Sequence, residues 1–156
     1  MHRLRIFVAG IAVGGLVVGL WAVSGSWGAV SAQAGRRAVN LPGRSVDAPF
    51  SDAILAGDTL YLSGRLGLEN GQVPDDPQQE ARNILDQIQG VLAEAGMTMD
   101  DLVTVQVFCS DVGFFGDFNA VYTSYFTDDP PARAFVGSGT LLRGARFEVL
   151  GIAVRR

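Results

Sequence analysis

A chain of 156 residues with 48% apolar and 18% charged side chains has the composition of one globular domain and is too apolar to be disordered. All 12 basic residues are arginine, the single histidine is His2 and the single cysteine is Cys109. These counts exclude lysine Schiff-base chemistry, a histidine-dependent nucleophile in the folded body, an internal disulfide and a Cys/His zinc centre.

The chain opens as an address. Arg3 and Arg5 precede an apolar run over residues 6–23, and small residues lead to Ala32-Gln33-Ala34, an A-x-A cleavage pattern with Val30-Ser31-Ala32 as an alternative. Residues 1–34 therefore read as a cleaved export signal, with an uncleaved anchor over residues 6–23 or a misassigned start as the other readings. Either of the first two places the body outside the cytoplasm, in the periplasm or medium. Removal of residues 1–34 leaves 10 arginines against 16 acids, a net charge of 10 − 16 = −6. Such a body is a poor match for nucleic acid, and only the N-terminal segment addresses a membrane.

Residues 35–45 read as a linker and residues 46–156 as the domain. Ala53–Ala56 and Thr59–Ser63 are strand candidates around Gly57-Asp58, and residues 66–74 read as loop around Asn70-Gly71. Asp76-Pro77-Gln78-Gln79 opens a helix, with Asp76 as cap, Pro77 in the first turn and Gln79 completing a capping box. Ala81, Ile84, Leu85, Ile88, Val91, Leu92 and Ala95 form its apolar stripe, and Gly96 ends it. Leu102 to Cys109 predicts a strand with Val103, Val105, Val107 and Cys109 on one side. A second helix follows over 114–126 with Phe115, Phe118, Val121, Tyr122 and Tyr125 inward, then strands over 133–136 and 147–154. The order β-β-α-β-α-β-β predicts an α+β fold with both helices on one face of a sheet, the other face being covered by subunit association.

Few groups carry candidate chemistry. Arg133 follows Pro130-Pro131 at a strand start, where a rigid approach suits a guanidinium that grips a carboxylate; pairing with Asp128 or Asp129 is the plainer reading. Glu148 lies inside an apolar strand, where burial would prepare a general base, unless it faces solvent on an edge. Asn119 either orients a ligand or is a polar residue of a solvent face. The pairs Asp75-Asp76, Asp100-Asp101 and Asp128-Asp129 read as caps and turns.

Taken in order, Ala48-Pro49-Phe50-Ser51, Leu62-Ser63-Gly64, Ala95-Gly96, Asn119-Ala120-Val121-Tyr122 with Tyr125-Phe126, Pro131-Ala132-Arg133, and Phe147-Glu148-Val149 with Ile152–Arg156 resemble the RidA (YjgF-like) family of enamine/imine deaminases. The resemblance spans residues 46–156. It implies a chorismate-mutase-like mixed sheet, a homotrimer with clefts between subunits, and hydrolysis of 2-imino acids to 2-keto acids and ammonia without a cofactor. It assigns the substrate carboxylate to Arg133, the water to Glu148, and substrate contacts to Phe50, Ser63, Gly64, Asn119 and Phe135. Three positions depart from the family pattern: Phe50 replaces a tyrosine, Arg65 a glutamine and Phe135 a cysteine. A non-catalytic trimeric module that binds small carboxylates is the alternative on the same fold.

Overall fold

A computed structural model describes residues 35–45 and 47–156. The expected export segment over residues 1–34 lies outside the described residues. Among the described residues seven strands make one sheet: β1 (Arg37–Val39), β2 (Ala53–Ala56), β3 (Thr59–Leu62), β4 (Arg65–Leu66), β5 (Leu102–Cys109), β6 (Ala132–Gly137) and β7 (Phe147–Val154). Their spatial order is β1-β2-β3-β7-β5-β6, with β4 continuing alongside β7. Helix α1 (Pro77–Glu94) precedes β5, and α2 (Phe115–Tyr122) links β5 to β6. That connection makes β5 and β6 parallel, whereas the other pairs are antiparallel.

Both helices pack on one face. The α1 stripe Ala81, Ile84, Leu85, Ile88, Val91 and Leu92 is buried against Leu60, Val105, Val107, Phe147 and Val149. Phe118 of α2 stacks 5.1 Å from Phe147, and each side chain sealed this way contributes about 1.5–3 kcal/mol. The opposite face carries three rows read directly from the register. Ile54, Tyr61 and Ile152 lie side by side, then Leu150 beside Gln106 and Ala134, then Glu148 beside Phe108 and Val136. Tyr61 and Val136 on this face are exposed, giving the open apolar face expected of the order of elements.

Several expectations need correction. Residues 37–39 are not linker but an edge strand, because Val39 enters the core and pairs with Ala53. Val103 is exposed, since an irregularity between Leu102 and Thr104 shifts the alternation by one residue. Asp76 caps α1 through Gln78 N–H at 2.9 Å, but Gln79 turns instead to Asn83 and Arg82, so no capping box forms. The second helix is regular only over Phe115–Tyr122, flanked by 3₁₀ turns, and Phe115 is exposed. Gly96 does adopt a positive φ of 71° after α1.

Candidate functional site

β7 is served by β3 over its second half and by β4 over its first, and the two-residue break between those strands is Ser63-Gly64. A hollow of about 370 Å³ opens at this break, lined by Phe50, Ser63, Gly64, Arg65 and Glu148 and closed by Gln87 and Leu142. Ser63 is fixed at both ends: its N–H donates to Asp52 O at 3.0 Å and its hydroxyl to Ser51 O at 2.7 Å. Gln87 Nε2 donates to Leu66 O at 3.0 Å and Asn83 Nδ2 to Gly67 O at 3.1 Å, so the polar side of α1 holds β4 in place. Glu148 projects from an interior strand, not an edge, and alternation sets it on the open face of the sheet.

Behind the hollow stands a charge cluster. Asp52, 3% exposed, accepts from Leu41 N–H at 2.8 Å and Arg44 Nε at 2.7 Å, and Arg65 Nη2 stands 3.0 Å away. Burial pushes the Asp52 carboxyl up, but the Leu41 amide and the two guanidinium groups outweigh it and hold the group below its ordinary value. Arg44 also lies 5.2 Å over the Phe50 ring.

Arg133 occupies a second region. Its register partner is Val105, on the helix side of the sheet. There its guanidinium sits 4.5 Å from the Tyr122 ring centre and about 6 Å from those of Phe115, Phe118 and Phe135. Four rings thus surround the charge. Asp128 pairs with Arg156 at 3.0 Å instead, and Arg133 forms no ion pair among the described residues. Its Nη1 and the Tyr122 hydroxyl are both buried without a hydrogen-bond partner there. Burial raises Tyr122 to about 12 despite the opposing charge of Arg133. Phe135 packs 5.0 Å from Phe115, and Asn119 is half-buried on α2.

The predicted residues therefore fall into two groups. Phe50, Ser63, Gly64 and Glu148 meet at one hollow, while Asn119, Arg133 and Phe135 meet at the β6–α2 edge. Within one chain Arg133 and Glu148 lie on opposite faces of the sheet, with β5 between their strands.

Other functional neighbours escape the sequence patterns. Glu80, 0% exposed, accepts from Arg146 N–H at 2.7 Å, Phe147 N–H at 3.2 Å and Arg146 Nη1 at 2.9 Å, anchoring the start of β7 immediately before Glu148. Its place on the Glu80-Ile84-Ile88 stripe is the signal that could have revealed it. Asp100 and Asp101, in contrast, act as turn anchors, holding Thr127 N–H at 3.0 Å and Thr98 N–H at 2.7 Å.

The chain belongs to the YjgF/RidA family: the family model described as Endoribonuclease L-PSP matches residues 43–155. The 2-iminobutanoate/2-iminopropanoate deaminase of Mus musculus is 36% identical over 110 residues, covering 69% of this chain and 82% of that protein. The crystal structure of the YjgF gene product from E. coli superposes with a TM-score of 0.70 at 30% identity, covering 77% of this chain and 99% of the other. E. coli TdcF with bound serine gives a TM-score of 0.68 at 26% identity over 77% and 97% of the two chains.

Proposed function

We propose that the protein is an exported, homotrimeric hydrolase of 2-imino acids, with each site built from Arg133 of one protomer and Glu148 of its neighbour. The observation that carries this reading is the Arg133 guanidinium, locked among four aromatic rings with no anionic partner among the described residues. A cation surrounded by rings and lacking an anionic partner among the described residues is matched to a carboxylate that arrives with the substrate. Family membership and the deaminase name of the mouse relative support the same reaction class.

In this mechanism Arg133 takes the substrate carboxylate and sets C2 beside a water held by Glu148. The imine enters protonated; the water oxygen adds to C2 as one water proton passes to the Glu148 carboxylate, giving a neutral carbinolamine. Glu148 returns that proton to the nitrogen, the C–N bond breaks with its electron pair leaving on ammonia, and the C2 hydroxyl gives its proton back to the Glu148 carboxylate as the carbonyl of the 2-keto acid forms. An imine is already electrophilic, so positioning with one general base supplies about 10²–10⁴-fold acceleration. The net charge of −6 and the lack of histidine in residues 35–156 speak against RNA cleavage as the activity.

The test uses imines generated in situ by an amino-acid oxidase, with ammonia release followed against buffer. Hydrolysis above the buffer rate that is lost in Arg133→Ala, and slowed in Glu148→Gln with keto-acid binding retained, is the expected result. Binding of keto acids without any acceleration would replace the enzyme by a carboxylate-binding module. For export, the intact mass from fractionated cells should lack residues 1–34.

A further inference from the structure

The hollow beside Glu148 holds more positive charge than gripping a single carboxylate requires. Arg65 lines it, and Phe50 and Ser63 also line an adjoining depression that carries Arg36 and Arg44. Three arginines gather here in a body whose net charge is −6. Asp52 offsets only one of these charges: its Oδ1 accepts from Arg44 Nε at 2.7 Å and stands 3.0 Å from Arg65 Nη2, and its Oδ2 accepts from Leu41 N–H. Arg65 Nε, Arg65 Nη2 and Arg44 Nη2 are buried without a hydrogen bond among the described residues. Three guanidinium groups against one carboxylate leave the hollow flanked by uncompensated positive charge, which favours an anionic ligand. The remaining lining suits a chain longer than two or three carbons: Phe50, Leu66 and Leu142 provide apolar wall, and about 370 Å³ lies within the range of pockets that hold larger ligands.

We propose that Arg65, supported by Arg44, is the specificity residue of this hollow and selects 2-imino acids that bear a second carboxylate at the end of the side chain. The inference rests on the deaminase reading above and names its substrate class. Arg133 takes the carboxylate beside the imine, Glu148 the water, and Arg65 the distal carboxylate. The reaction itself is unchanged: water and the imine give the keto acid and ammonia. An upstream reaction must then oxidise or dehydrogenate the amine of an acidic amino acid to its imine.

The experiment compares two imines of equal chain length made by oxidases that pass the electrons of the amine to oxygen: 2-iminoglutarate from glutamate and 2-iminopentanoate from norvaline. The readout is the ratio of their kcat/KM values for the full chain, for Arg65→Gln and for Arg65→Lys, with thermal unfolding run on each. The dicarboxylic imine is expected to be preferred by at least about tenfold, the size of one charge-assisted hydrogen bond. That ratio should collapse toward unity in Arg65→Gln and recover in part in Arg65→Lys. Calorimetric binding of 2-oxoglutarate against 2-oxopentanoate gives the same comparison without turnover. An unchanged ratio in a folded Arg65→Gln overturns the inference and leaves the deaminase reading standing. Arg65-dependent binding of 2-oxoglutarate without hydrolysis of either imine upholds the inference and overturns the deaminase reading. Neither hydrolysis nor binding overturns both.

Discussion

Gly64 and the Glu148 carboxylate compete for one space: a Cβ built on residue 64 collides with Glu148 Oε1 and stands 3.0 Å from its Cδ. The glycine is there because the acid needs the room. Gly64→Ala should therefore displace the carboxylate while the sheet survives, and misplacement of a catalytic group by about 1 Å costs on the order of 10²-fold. Steady-state kinetics on an in situ imine should show kcat falling, with the circular dichroism of the wild type. Wild-type kcat in the folded variant would mean that Glu148 does not need that position.

Glu80 holds the front of β7. It satisfies two backbone amides and one guanidinium nitrogen from a fully buried site. Glu80→Ala leaves these donors unmatched and should destabilise the fold by about 3–5 kcal/mol, as for other buried ion pairs that lose one partner. Denaturant unfolding checks this, and a change below about 1 kcal/mol would show that water replaces the acid at no cost.

The depressed Asp52 carboxyl makes a prediction about acid. The folded chain binds this proton more weakly than the unfolded chain, whose ordinary value is 3.8. The stabilisation is thus complete above that value and disappears as pH falls through the lower folded value. Asp52→Asn should be less stable than the wild type near neutrality and should show a shallower decline from about pH 5 to about pH 2 in denaturant midpoints. Parallel curves for the two proteins would contradict the assignment.

The local elements were legible where one principle dominates. Asp76 and Pro77 begin α1, its stripe at three- and four-residue spacing is buried, and Gly96 closes it. Residues 37–39 hid their strand because their pairing partner, Val39 with Ala53, is distant in sequence and only one of the three is buried. Val103 defeated simple alternation through a single irregularity. At the site, Glu148 and Arg133 could be chosen by their surroundings in sequence, but their placement on opposite faces depends on strand order. The same holds for Arg44, Asp52 and Arg65, which converge only after β2, β3 and β4 have formed. Tyr122 reads as one more core aromatic until its ring is found 4.5 Å beneath the Arg133 guanidinium.

The shared site can be tested by mixing two defective chains. Arg133→Ala and Glu148→Gln should each be nearly inactive alone on an in situ imine. Co-expressed in equal amounts, they form mixed assemblies in which a cleft is intact whenever the first variant lends its Glu148 and the second its Arg133, about one cleft in four for a random ring of three. The mixture should regain about a quarter of the wild-type rate. A mixture no more active than its two components, with subunit exchange shown by mass, would contradict a site built from two chains.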